Sequence, residues 1–114
     1  MKPNDLIRLR HMAEAAGEAV TYLANRTEKD LASERVLSLA LMRCIEIVGE
    51  AASKVSPETR TVFSHVPWAD IVAMRNRLIH AYFDVDLARV CDTIQTDLPP
   101  LIALLQEILT RSTT

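Results

Sequence analysis

Glycine, cysteine and aromatic side chains are all scarce in this chain of 114 residues, which holds two glycines, two cysteines, two phenylalanines, two tyrosines and one tryptophan. With so few rings, Leu, Ala, Ile and Val must fill the core. With glycine rare and the helix formers Ala, Leu, Glu and Arg abundant, an all-α protein is the expected class. Cys44 and Cys91 stand alone in apolar surroundings, and no Cys/His spacing resembles a zinc site. Two such cysteines argue against a disulfide framework and point to buried thiols in a reducing cytosol. Long hydrophobic runs are missing too. Arg43, Glu46 and Glu50 interrupt the longest one, so no membrane span is expected. The opening Met1-Lys2-Pro3-Asn4-Asp5 leads into a charged helical pattern and lacks the apolar core of a signal peptide. These absences predict a soluble cytoplasmic protein. Neither sign of charge dominates. A formal net charge of −2 does not advertise a nucleic-acid binder, although local patches matter more than the sum.

What is present suits one domain, residues 1–114, with one modest core, since 49% of the residues are apolar. Asn4 or Asp5 is positioned to cap a first helix, on which Leu6, Leu9, Met12, Ala13, Ala16, Val20 and Leu23 recur at helical spacing. That helix should end near Asn25-Arg26. Thr27-Glu28-Lys29-Asp30 reads as a capping stretch for a second helix, Glu28 to Val55. Apolar positions cover more than one of its faces, which predicts a central place in a bundle or a face shared with a partner subunit. Ser56-Pro57-Glu58 starts a short helix, and Pro67 starts another that carries Trp68, Ile71, Met74 and Leu78. Phe83-Asp84-Val85-Asp86 reads as a break, with Asp86 as cap of the last long helix. Pro99-Pro100 predicts a kink or restart within it. The tail after about residue 110 is expected to fray. Gly17 and Gly49 fall inside helices, where glycine costs about 1 kcal/mol against alanine, and close helix approach is the expected reason.

Residues Arg75-Asn76-Arg77-Leu78-Ile79-His80-Ala81-Tyr82 carry the chemistry. Arginine holds phosphate through a planar fork of donors. Histidine moves protons near neutral pH. On a helix Asn76 and His80 share a face, whereas Arg75 and His80 stand about 140° apart. Convergence then requires fraying near His80, an Arg75 side chain that curls round, or two copies meeting at a two-fold interface. In such a site His80 would accept the proton of a ribose 2′-hydroxyl or protonate the leaving 5′-oxygen. Arg75 would stabilise the transition-state charge, and Asn76 would orient His80 or donate to phosphate. No metal is needed. A plainer alternative stays open at this point: Arg, His and Tyr capping helix carbonyls and pairing with Asp84 or Asp86. His11 and His65 have no matched partner nearby. Glu46 and Glu50, four apart, are expected to pair with Arg43 or Lys54.

The stretch Arg75 to Tyr82 resembles the Arg-(four residues)-His-x-Tyr signature of HepT-like toxins in the HEPN superfamily. Glu46-Ile47-Val48-Gly49-Glu50-Ala51-Ala52, Ser56-Pro57-Glu58-Thr59-Arg60, Val66-Pro67-Trp68 and Asp97-Leu98-Pro99-Pro100-Leu101 follow the family's order, so the resemblance covers about residues 5 to 110. It implies an up-and-down bundle of four to five helices that pairs as a homodimer, with the motif clefts at the interface. It also implies a metal-independent endoribonuclease that needs no cofactor and acts as the toxin of a toxin–antitoxin pair. Arg75, Asn76 and His80 then take the catalytic positions, and Arg75 and Arg77 contact RNA. An MntA-like minimal nucleotidyltransferase antitoxin would transfer AMP from ATP to Tyr82, adding bulk and charge beside the RNA site. The competing reading is a non-catalytic dimer of the same fold that partners a nucleotidyltransferase and holds nucleotide or substrate near Arg75.

Overall fold

Short-range signals start most of the helices in the computed structural model, which describes residues 1–80 and 86–112 apart from the side chains of Ile79 and His80. Helix α1 (Pro3–Leu23) begins at a proline in its first turn. Neither Asn4 nor Asp5 caps it. Lys2 occupies the cap position without a side-chain bond, and Asp5 turns inward and is buried. The helix ends as expected. Asn25 adopts a left-handed φ of 63°, a conformation that asparagine tolerates better than most residues.

Thr27 and Asp30 form a reciprocal capping box at the start of α2 (Glu28–Ser33). The single helix expected from Glu28 to Val55 is in fact two, because the chain breaks at Glu34 before α3 (Arg35–Ser53). Two side chains account for the break. The Ser33 hydroxyl donates back to the carbonyls of Lys29 and Asp30, and Arg26 grips the Glu34 carboxylate at 2.7 and 2.9 Å. Glu34 is thereby held at φ −110°, ψ 88°, outside the helical region.

Ser56 caps α4 (Pro57–Val62) as read from the sequence, and α5 (Trp68–His80) follows Pro67. Asp86 caps α6 (Leu87–Asp92) by accepting from the Arg89 amide at 3.1 Å. The residues before it, 81–85, which include the expected break and Tyr82, lie outside the described residues. The disturbance expected at Pro99-Pro100 appears one turn earlier. A π turn (Thr93–Asp97) joins α6 to α7 (Leu98–Ser112), and α7 runs straight through both prolines. Neither proline offers an N–H, so carbonyls in the preceding turn lose their helical donors, and a wider turn accommodates the rings. The helix also persists to Ser112, past the point where fraying was expected. The Arg111–Glu107 pair and a Ser112 hydroxyl bond to the Ile108 carbonyl tie its last turn. Residues 113 and 114 lie outside the described residues.

Every described element is helical, as expected of the class. Counting α6 through α7 as one rod gives six among the described residues, one more than expected, and the extra one comes from the break at Glu34. Helix α3 is central: α1 packs along it on one side and α5 on another, while α7 closes over α1. Leu9, Met12, Leu41, Ile45, Leu98 and Leu105 are fully buried where these helices meet. None of the described helices is long and apolar enough to cross a membrane.

Two polar clamps hold the end of the bundle. Asp5, 3% exposed, accepts from the Ser56 amide at 2.9 Å, the Ser56 hydroxyl and the Thr59 hydroxyl at 2.6 Å, joining α1 to the start of α4. Burial pushes its pKa up, but the bonds from Ser56 and Thr59 outweigh that and hold the carboxyl below its usual range. Arg60 covers the end of α3, donating from Nε to the Val55 carbonyl and from Nη2 to those of Ala52 and Ser53. Cys44 and Cys91 are free and buried, as expected, and burial raises both thiol pKa values.

Candidate active site

The Arg-to-His stretch sits on the last turns of α5, beside α3. Met74 points into the core, and Arg75, the next residue, lies against α3. Gly49 makes that contact possible. A Cβ built there would overlap Arg75 Cβ and stand 2.5 Å from its Cγ. The close-approach reading therefore holds for Gly49. It does not hold for Gly17 among the described residues, where an added Cβ meets nothing within 4 Å.

The Arg75 fork is only partly engaged. Its Nη1 donates to Asn76 Oδ1 at 3.0 Å, and its Nη2 lies 3.6 Å from Glu50 Oε1. Its Nε is buried and has no acceptor among the described residues. Glu50 is shared: its other oxygen stands 3.9 Å from Nη1 of Arg43, which in turn holds Glu46 at 2.8 Å. Glu46 and Glu50 do pair with Arg43, as expected. The Glu50–Arg75 contact was not foreseen. Its sequence signal was present in the stripe Arg43, Glu46, Glu50, at i, i+3 and i+7 beside Gly49, but only the approach of α5 gives that stripe its partner.

Of the three routes to convergence of Arg75 and His80, the described residues bear on the course of the Arg75 side chain. Helix α5 is regular through His80, so it does not fray before that residue. Arg75 instead curls toward Asn76, and Asn76 shares a helix face with His80, one turn on. The side chain of His80 and all of Tyr82 lie outside the described residues. Asp84 lies there too. Asp86 is occupied as the cap of α6, and the described carboxylate paired with Arg75 is Glu50.

Arg77 goes elsewhere. It stands about 200° round α5 from Arg75 and lines a cleft of ≈ 450 Å³ with Asp70, Met74, Asp97 and Leu101, facing the π turn rather than α3. Arg75 and Arg77 therefore do not share one cleft within a single chain. His11 and His65 are exposed, and the His65 ring meets Phe63 edge-on with centroids 6.3 Å apart. Among the described residues, no three His, Cys, Asp or Glu side chains are grouped to hold a metal ion.

The chain is similar to several curated proteins. It is 35% identical over 89% of its length to a Methanocaldococcus jannaschii protein named "Gamma-glutamylcyclotransferase and putative RNase", but spans only 46% of that longer chain. It is 34% identical to a "Putative RNase" of Caldanaerobacter subterraneus over 89% of this chain and 90% of the relative. A "Probable ribonuclease HepT" of Thermococcus cleftensis is 30% identical over 89% of this chain and 92% of its own. No solved structure matches. Residues 12–108 match the family described as ribonuclease HepT-like, and the chain belongs to that family.

Proposed function

We propose that this protein is a metal-independent endoribonuclease and the toxin of a type VII-like toxin–antitoxin pair in the cytoplasm. One observation carries the reading. The Arg75 guanidinium, with donor capacity unused, is drawn to the Asn76 face of α5, the face on which His80 follows one turn later. The names of the similar proteins support the reaction class.

In this reading neutral His80 removes the proton from a ribose 2′-hydroxyl. The 2′-oxygen then attacks the adjacent phosphorus, and the bond to the 5′-oxygen breaks. The leaving oxygen takes a proton, giving a 2′,3′-cyclic phosphate and a 5′-hydroxyl. Arg75 holds the phosphoryl oxygens as charge accumulates on them, and Asn76 fixes the Arg75 fork. A two-fold dimer would bring two copies of His80 to one groove, one to accept a proton and one to give one back. The same pairing would let Arg77 contact RNA from outside the Arg75 cleft. Control would come from an MntA-like nucleotidyltransferase. The Tyr82 oxygen attacks the α-phosphorus of ATP, pyrophosphate leaves, and the bound AMP blocks the RNA site.

The test is growth and RNA cleavage for the wild type, Arg75→Ala and His80→Ala, expressed without a partner at matched soluble levels. Both variants should abolish toxicity and lower cleavage by at least about 100-fold, with cyclic-phosphate ends on wild-type products. Equal growth and equal cleavage in folded variants would overturn the reading in favour of a non-catalytic binding dimer. Light scattering should give twice the chain mass. Mass spectrometry after incubation with the antitoxin and ATP should place AMP on Tyr82; an adduct on Tyr22 would reject that assignment.

A further inference from the structure

We propose that the Glu50 carboxylate occupies the place of a substrate phosphate, and that Arg43 is a second arginine that contacts that phosphate. The two Glu50 oxygens face two different guanidinium groups, Oε1 toward Arg75 Nη2 at 3.6 Å and Oε2 toward Arg43 Nη1 at 3.9 Å. An anion bridged between two arginines from separate helices is the arrangement by which a phosphate with several oxygens is clamped. Glu50 fills that position loosely. Both distances exceed those of a charge-assisted hydrogen bond, about 2.7–2.9 Å. Its side chain is 38% exposed, so water and salt weaken both contacts.

The two arginines also retain donor capacity that Glu50 does not use. Arg75 Nη2 has only the 3.6 Å contact to Glu50, and Arg43, 60% exposed, has its one close bond to its own-helix neighbour Glu46. Gly49 seats the Arg75 stem directly beside Glu50, so the guanidinium is anchored at its base when the carboxylate swings out. Arriving phosphate therefore exchanges with Glu50 rather than building a site from nothing. The two arginines and the two acids Glu46 and Glu50 balance in charge, so the cleft gains net positive charge only when a carboxylate leaves. That built-in competition fits a chain with a net charge of −2 that must still hold RNA.

The identity of the anion as an RNA phosphate rests on the ribonuclease reading; the competition at Glu50 does not. The probe is a fluorescent RNA oligonucleotide with 2′-O-methyl groups, which binds without the nucleophile that cleavage needs. Its affinity for the full chain is measured by anisotropy across a salt series. Glu50→Gln should bind at least about threefold more tightly than the wild type. Arg43→Ala should bind more weakly and flatten the logarithmic salt slope by about 0.7, the loss of one phosphate contact. Glu58→Gln, the same charge change on α4, should match the wild type. The proposal is overturned if Glu50→Gln gains nothing, if Glu58→Gln gains as much, if Arg43→Ala keeps the wild-type slope, or if no form binds the probe. Cleavage of the all-ribose version separates the two ideas. Cleavage that survives His80→Ala, with the binding pattern intact, removes the ribonuclease reading and leaves the phosphate site. Cleavage that depends on His80, with Glu50→Gln unchanged in binding, does the reverse.

Discussion

Two arginines rest on α3, and the chain uses them in opposite ways. Arg60 closes the C-terminal end of α3, with three bonds of 2.8–3.1 Å from Nε and Nη2 to backbone carbonyls. Arg75 lies against Gly49 and Glu50, near the end of the same helix, with a buried Nε that has no acceptor among the described residues and a carboxylate 3.6 Å from Nη2. A fork that answers orphan carbonyls stabilises the fold. A fork with a buried donor left open carries an unsatisfied polar group, which typically costs about 1–3 kcal/mol. The contrast separates a bonded helix cap from the arginine proposed to hold RNA phosphate, although a sequence shows only two arginines. Asp5 stands with Arg60: it is buried, and bonded by Ser56 and Thr59.

The sharpest way to break the contrast is at Gly49. Gly49→Ala should cost about 2–3 kcal/mol in urea unfolding, because its Cβ overlaps the Arg75 stem and forces α3 and α5 apart. RNA cleavage should fall as Arg75 shifts. An unchanged urea midpoint would mean that the two helices are not in close contact.

Asp5→Asn should cost about 2 kcal/mol at neutral pH through weakened charge-assisted bonds to Ser56 and Thr59. It also sharpens the pH argument. The folded-state pKa of Asp5 lies below its usual value of 3.8, so its contribution is fully present above that value and is lost as the pH falls through the lowered one. Urea melts below about pH 4 should therefore show the wild type losing stability more steeply than Asp5→Asn. Equal slopes would remove Asp5 from the account of acid sensitivity.

Arg60→Ala should lower stability by about 1–2 kcal/mol, because it strips the cap from α3, while cleavage per folded molecule stays at the wild-type level. Arg75→Ala should do the reverse, removing activity without lowering stability, because it also removes the unsatisfied Nε. If both variants lose stability equally, the division between the two arginines fails. The smallest effect is expected at Gly17. Gly17→Ala should stabilise α1 by about 0.5–1 kcal/mol, since the new methyl meets nothing within 4 Å. Destabilisation there, in a particle of twice the chain mass, would identify a packed partner on that face.

How far the sequence carried the reading depends on the range of each interaction. The helix starts at Thr27, Ser56 and Asp86 were legible because a cap joins a side chain to an amide about three residues away. A central place was one of the two readings that the wide apolar surface of the Glu28–Val55 stretch offered, and α3 takes it. The break at Glu34 was not, because it depends on Arg26 reaching across eight residues while Ser33 folds back. The prolines announced a disturbance but not its form, since a π turn and a kink answer the same missing amides. Within the candidate site, Arg75 and Asn76 stood out by residue type and spacing. That Arg77 faces the other side of α5 followed from helical spacing and became informative only once the neighbours of each side were known.

The sequence by itself determined the all-α class, the caps and the family signature, since composition, local bonding and residue order are properties of the chain alone. Only the tertiary structure decided that Asp5 is a clamp, that Gly49 is a seat for Arg75 and Gly17 is not, and that Glu50 stands between two arginines. Those facts depend on which helices approach one another, and how closely. That is set by the packing of the whole core around α3, which the spacing of residues along any one helix does not contain.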